Sequence, residues 1–106
     1  MDITVQELKE RIDAGTAPIM IDVRNPHEWD QQHLEGVEKI SLPSLPAKIN
    51  DLADWKDKEV VMICRSGGRS GQATQFLAQQ GFSNVRNLTG GMLAWRDNID
   101  PSFDVQ

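Results

Sequence analysis

Two short and almost uninterrupted apolar runs restrict the fold of this chain most. Residues 19–23 read IMIDV and residues 59–63 read EVVMI. Neither run alternates apolar with polar residues as a strand with one solvent-facing side would, and their length and β-branched content are typical of parallel strands buried on both faces. A strand of that kind needs helices on both sides of its sheet, so the runs predict an α/β fold.

Helix signals separate these runs. Thr4 and Glu7 fit a capping box that predicts a helix over residues 5–13, and Asn25 followed by Pro26 predicts another that reaches about residue 32. Further helices are expected within residues 45–55, 69–80 and 92–96, and further short strands at residues 36–40 and 85–88. This alternation predicts a central, mostly parallel sheet flanked by helices.

Length and composition limit the class of protein. A chain of 106 residues allows one domain, which we place at residues 1–97, with residues 98–106 as an irregular tail. No apolar run approaches the ~20 residues that span a bilayer, and the amino terminus lacks a signal-peptide pattern, so a cytoplasmic protein without a membrane partner is expected. A net charge of −5 argues against nucleic-acid binding. A single cysteine cannot form an internal disulfide or a thiolate zinc site, so no metal is expected.

Charge is distributed unevenly along the chain. Residues 60–96 contain four arginines and no acidic residue, whereas all 16 acids lie in residues 1–59 and 97–106. The only cysteine, Cys64, lies in the acid-free segment with Arg65 and Arg69 close behind it. Two interpretations fit: a segment rich in core positions that carries few charges, or a locally positive patch around the thiol.

The sequence around Cys64 indicates a reactive thiol. Cys64 follows a predicted parallel strand and precedes a predicted helix, which is where such sheets bind ligands. Gly67 and Gly68 allow the backbone N–H groups of residues 65–70 to turn inward as an anion nest. Together with the helix dipole and the two arginines, these groups would favour a thiolate, the nucleophilic form of cysteine. The alternative is an inert cysteine at the end of a core strand, which would need neither the glycines nor the arginines. The predicted substrate-binding residues are Arg65, Ser66, Gly67, Gly68, Arg69 and Ser70.

The spacing after Cys64 differs from that of cysteine-dependent phosphatases, whose loop has five residues between the cysteine and an arginine. Here Ser70 occupies the position of that arginine, Arg69 comes one residue early, and Ile63 stands where those phosphatases usually have histidine. A loop shorter by one residue fits a smaller group carried on the cysteine sulfur. The spacing therefore favours sulfur transfer over phosphorus transfer.

Over residues 3–97 the sequence resembles the rhodanese, or thiosulfate sulfurtransferase, family. The matching motifs are Ile21-Asp22-Val23-Arg24, Glu28-Trp29, His33-Leu34-Glu35-Gly36-Val37, Leu42-Pro43, the Cys64 loop and Leu88-Thr89-Gly90-Gly91-Met92-Leu93-Ala94-Trp95. The resemblance implies a single-domain α/β fold with a central, mostly parallel sheet of five strands and an active loop from Cys64 to Arg69. It also implies that Cys64 accepts a sulfane sulfur from thiosulfate or another donor, becomes a persulfide and passes the sulfur on, without a cofactor.

The resemblance also assigns supporting roles. Asp22 and Arg24 match the family's pair at a strand end, where we expect an ion pair that braces neighbouring loops, and we expect His33 to be a hydrogen-bonded structural residue. The expected partners are a small anionic sulfur donor and, because the chain has no second cysteine, an external acceptor such as a protein thiol or a sulfur-carrier protein. The alternatives are a rhodanese-fold module that binds or regulates without catalysis and, less favoured, a phosphatase.

Overall fold

A five-stranded parallel sheet forms the centre of the computed structural model, which describes residues 1–105. Its strands are β1 (Asp2–Ile3), β2 (Ile19–Asp22), β3 (Glu38–Lys39), β4 (Glu59–Ile63) and β5 (Asn84–Leu88), in the spatial order β1-β5-β4-β2-β3. The expected α/β fold with a five-stranded parallel sheet is confirmed. β1 was missed by the strand patterns because two residues are too few to show a period.

In the described part of the chain, residues 1–105, five α-helices surround the sheet: α1 (Val5–Asp13), α2 (Pro26–Gln31), α3 (Leu45–Lys48), α4 (Gly68–Gln79) and α5 (Gly91–Asn98). The capping box of α1 forms as predicted, with the Glu7 N–H donating to Thr4 Oγ1 at 3.1 Å. α2 begins at Pro26, as expected for proline in the first turn. Within residues 1–105, the helices are all too short or too polar to span a bilayer.

The helix expected within residues 45–55 is only partly α-helical. α3 ends at Lys48, and residues Ile49–Trp55 continue as a 3-10 helix; another short 3-10 helix covers Leu42–Ser44. Ile49, Leu52 and Trp55 lie three residues apart and pack into the same core, which suits the three-residue repeat of a 3-10 helix. The apolar spacing thus indicated a helix but did not distinguish its type.

β4 separates two hydrophobic cores. Val61 and Ile63 face one core, which includes residues of α1 and α5, whereas Val60 and Met62 face the other, which includes residues of α4 and the 3-10 region. All four side chains are fully buried. Burial on both faces explains why the sequence of β4 is continuously apolar.

The carboxyl edge of the sheet is where the polar residues converge. β4 lies between β2 and β5, so Cys64, which follows β4, has the ends of both neighbouring strands beside it. α4 begins just after Cys64 and α5 begins just after β5. Two helix amino termini, each with a partial positive charge, therefore start at the edge that carries the thiol.

The carboxyl-terminal tail has no helix or strand between residues 99 and 105; Gln106 lies outside the described residues. The helix expected at 92–96 is longer in the structure and ends at Asn98. Beyond it the chain folds back, and Phe103, only 4 % exposed, packs into the core beside α1 and α5. Asp104 meets the end of α2, where its N–H donates to Gln32 Oε1 at 2.6 Å.

Candidate active site

Hydrogen-bond donors of the loop after β4 surround the sulfur of Cys64. The Gly67 N–H donates to Cys64 Sγ at 3.0 Å, and the Ser70 hydroxyl donates to it at 3.2 Å. Gly67 adopts φ +109°, a conformation that favours glycine and turns the backbone over the sulfur. The N–H group of Gly67, one of the residues 65–70 of the predicted nest, therefore faces the sulfur itself.

These donors lower the pKa of the Cys64 thiol. Burial alone would raise the pKa, but hydrogen bonds from the Ser70 hydroxyl and from the backbone N–H groups of Ser70, Gly67 and Ser66 outweigh it, so the pKa lies below its usual value. Hydrogen bonds to the charged form favour the thiolate, the nucleophilic form of cysteine. Of the groups expected from the sequence to favour the thiolate, the loop donors are thus the leading ones.

The amino terminus of α5 binds the first residues of the loop through backbone hydrogen bonds. The N–H groups of Met92 and Leu93 donate to the carbonyls of Cys64 and Arg65 at 2.9 and 3.0 Å. Gly91 makes this approach possible, because a Cβ at that position would lie 2.4 Å from the Cys64 carbonyl oxygen. Since C=O and N–H point in opposite directions across a peptide, capture of these carbonyls by α5 directs the following N–H groups away from α5.

Asn87, at the carboxyl end of β5, ties together two of the donors that face the sulfur. Its Oδ1 accepts a hydrogen bond from the Ser70 hydroxyl at 2.5 Å, and its Nδ2 donates to the Gly67 carbonyl at 3.2 Å. The sequence did not identify Asn87 as a residue of the site. The available signal was a polar residue near the end of a strand next to the cysteine strand, since neighbouring parallel strands end at one edge.

Arg69 forms a two-pronged ion pair with Glu28 of α2. Its Nη1 and Nη2 lie 2.6 and 2.9 Å from Oε1 and Oε2 of the carboxylate. The hydrogen bond from Arg69, helped by the Asn25 N–H, lowers the pKa of Glu28 to about 2 despite its burial, and the same pair raises the pKa of Arg69. The sequence pointed to Glu28 only as part of a family motif. Glu28 and Arg69 are 41 positions apart, so no local pattern predicts that they form an ion pair.

The acid-free segment is not uniformly positive in three dimensions. Besides Arg69, Arg86 pairs with Glu59 at 3.1 Å and Arg96 pairs with Asp97 at 2.9 Å. Arg69, Arg86 and Arg96 therefore meet acids from outside that segment. The acid-free segment of the sequence therefore suggested more positive charge near the thiol than the ion pairs of the structure leave.

Asp22 and Arg24 form the expected ion pair beneath the site. Arg24 Nη2 lies 2.8 Å from Asp22 Oδ2, both side chains are 1 % exposed, and the same Nη2 donates to the Gln32 carbonyl at 2.7 Å. His33 Nδ1 lies 2.9 Å from the Trp29 carbonyl oxygen, a structural hydrogen bond as expected. These contacts fix β2 and the end of α2, the helix that carries Glu28.

The predicted substrate-binding residues differ in how deeply they are buried. Arg65, Ser66 and Gly68 are exposed, Gly67 and Arg69 are half-buried, and Ser70 is completely buried. Ser70 thus contacts the sulfur from inside the protein. The exposed members form the outer rim that an incoming molecule would meet.

Comparisons with known proteins show the family of this chain. Residues 4–98 match the family described as the Rhodanese-like domain. The chain belongs to the rhodanese-like family. The Bacillus subtilis protein YtwF, whose name describes a sulfurtransferase, is 39% identical over 100 residues, with 94% of both chains covered.

Two further similarities extend the comparison. A Mycobacterium tuberculosis protein named as the adenylyltransferase/sulfurtransferase MoeZ is 37% identical over 102 residues, but the match covers 95% of this chain and only 26% of MoeZ. The crystal structure of SSP1007 from Staphylococcus saprophyticus superimposes with a TM-score of 0.80 at 34% identity, covering 97% of each chain. Relatives of this rhodanese-like chain that are named sulfurtransferases support a transfer of sulfur groups.

Proposed function

We propose that this rhodanese-like protein is a sulfurtransferase that moves a sulfane sulfur from thiosulfate or another donor to a thiophilic acceptor through a persulfide on Cys64. One observation carries the proposal: the Ser70 hydroxyl and loop N–H groups converge on Cys64 Sγ and lower the pKa of its thiol. Such a thiolate is the nucleophile that covalent sulfur transfer requires.

In the first step, the Cys64 thiolate attacks the outer sulfur of the donor. A new S–S bond forms to Sγ, the donor's own S–S bond breaks, and its electron pair leaves with sulfite if the donor is thiosulfate. The negative charge moves from Sγ to the newly bound outer sulfur. The Gly67 N–H, which donates to Sγ at 3.0 Å, and the neighbouring N–H groups of the loop are the groups that would stabilise that charge.

In the second step, an acceptor nucleophile attacks the outer sulfur, and Sγ leaves as the thiolate. A lowered thiol pKa makes Sγ a better leaving group, so one feature serves both halves of the cycle. The sequence contains one cysteine, so the acceptor comes from outside: a small thiol, a protein thiol or a sulfur-carrier protein. The reducing cytoplasm, where free thiols persist, is the compartment that suits this chemistry.

Intact mass spectrometry tests the proposal. After incubation with thiosulfate, or with an alkyl persulfide as an alternative donor, the protein should gain the mass of one sulfur atom, and cyanide should remove it as thiocyanate. Cys64→Ser, which changes only the nucleophilic atom, should gain nothing. A wild-type protein that gains no sulfur from either donor would contradict the proposal and would favour a non-catalytic binding module.

A further inference from the structure

We propose that Glu28 determines donor specificity: by neutralising Arg69, it makes the site favour persulfide donors of low charge over doubly charged anions such as thiosulfate. This inference rests on the proposed sulfur transfer and specifies its donor. Arg69, predicted from the sequence as a substrate-binding residue, is in this inference one half of a neutral pair that does not attract anionic donors.

The geometry of the pair cancels its charge locally. Both outer nitrogens of Arg69 meet both oxygens of the Glu28 carboxylate at 2.6 and 2.9 Å, the shortest and most directional form of this interaction. Glu28 is 8 % exposed, so little water separates its charge from the loop. Because the pKa of Glu28 is about 2, the carboxylate stays ionised throughout the physiological range.

The other charges near the sulfur do not restore a strong attraction for a dianion. The buried Asp22 and Arg24 side chains also form a neutral pair. Arg65 is exposed, and solvent and salt weaken the field of an exposed charge. An approaching donor therefore meets the negative Cys64 thiolate beside the neutral Arg69–Glu28 pair, and the repulsion from the thiolate is twice as large for a dianion as for a monoanion.

A neutral alkyl persulfide, R–S–SH, avoids this repulsion. The Cys64 thiolate attacks its outer sulfur, the Sγ–S bond forms, and the donor's S–S bond breaks with its electron pair leaving on RS⁻. The proton of the outer sulfur then passes through solvent to RS⁻, which gives the protein persulfide and the thiol RSH. The exchange is redox-balanced and needs no further reactant.

Glu28→Gln removes the negative charge of this side chain and keeps its size and shape. Glutamine retains an oxygen that can accept the Asn25 N–H, which now donates to Glu28 Oε1 at 3.0 Å. We would measure second-order rate constants for the gain of sulfur mass with thiosulfate and with 2-mercaptoethanol persulfide, an otherwise uncharged donor. The thiosulfate-to-persulfide ratio should rise about five- to tenfold, which is the effect expected for removing one charge near the reacting group.

Glu59→Gln is the matched control. Glu59 is also a partly buried glutamate paired with arginines, Arg11 at 2.7 Å and Arg86 at 3.1 Å, but it lies at the opposite end of β4 from Cys64. Its replacement should leave the donor ratio unchanged. An equal rise in both variants would show a general loss of rigidity and would overturn the inference.

Arg69→Gln is a second variant, which tests the inference even if Glu28→Gln does not fold. It leaves the Glu28 charge without its partner, so the thiosulfate-to-persulfide ratio should fall. If the wild type accepts sulfur from both donors but neither substitution changes the ratio, the specificity inference is wrong and the transfer itself stands. If the wild type accepts sulfur from neither donor, it is the proposed function that fails.

Discussion

At the scale of single residues, Ser70 is the side chain on which the state of the thiol depends most directly. Its hydroxyl has one proton and two acceptors within reach, Cys64 Sγ at 3.2 Å and Asn87 Oδ1 at 2.5 Å. A charged acceptor forms the stronger hydrogen bond, so the hydroxyl should donate to the sulfur when it is a thiolate and to Asn87 when it is not. Asn87 thus keeps the hydroxyl in place in either state.

We predict that Ser70→Ala raises the pKa of the Cys64 thiol by about one to two units, because a hydrogen bond to a charged group contributes about 1.5–3 kcal/mol. The pH at which alkylation by iodoacetamide reaches half its maximal rate should rise accordingly, and the thiolate fraction at neutral pH should fall. Ser66→Ala is the control, since Ser66 acts on the sulfur through its backbone N–H and should leave that pH where it is. Identical midpoints for Ser70→Ala and wild type would disprove the role of the hydroxyl.

At the scale of elements, the contact between α5 and the cysteine loop decides the shape of the site. The amino terminus of α5 binds two loop carbonyls, and this requires Gly91 at φ +57° with no Cβ. The pattern of apolar residues predicted a helix near residues 92–96 but gave no reason for its contact with Cys64. That contact depends on where β5 ends relative to β4, which is a property of the sheet.

We predict that Gly91→Ala lowers the free energy of unfolding by about 2–4 kcal/mol, because the new methyl would overlap the Cys64 carbonyl and the backbone would be held at a positive φ. Urea denaturation measures this change. Gly68→Ala is the matched control at the start of α4: nothing lies within 4 Å of its would-be Cβ, so its stability should change by no more than about 1 kcal/mol. Equal losses in the two variants would contradict the close approach of α5.

At the scale of the whole molecule, the tail belongs to the packed structure. The sequence predicted a domain at residues 1–97 and an irregular tail at residues 98–106, and in the structure the last helix ends at Asn98, with no helix or strand in residues 99–105. Phe103 nevertheless fills part of the core beside α1 and α5. The apolar residues of the tail, Ile99, Phe103 and Val105, show no helix or strand period, so the burial of Phe103 could not be inferred from the sequence.

We predict that Phe103→Ala destabilises the protein by about 3 kcal/mol, the usual cost of removing a buried aromatic side chain. Phe76→Ala on α4 is the control, since Phe76 is only partly buried and should cost clearly less. Chemical denaturation of the two variants gives the comparison. A Phe103 variant as stable as wild type would show that the tail adds nothing to the core.

Local features of the sequence determined a large part of this protein. The apolar runs specified strands buried on both faces, the caps specified where α1 and α2 begin, and the glycines after Cys64 specified a nest of N–H groups. Tertiary structure alone decided which distant side chains meet: Glu28 with Arg69, and Asn87 with Ser70. The physical reason is range, because capping, periodicity and turn geometry act over a few residues, whereas charge pairing at the site depends on how the sheet brings separate segments to one edge.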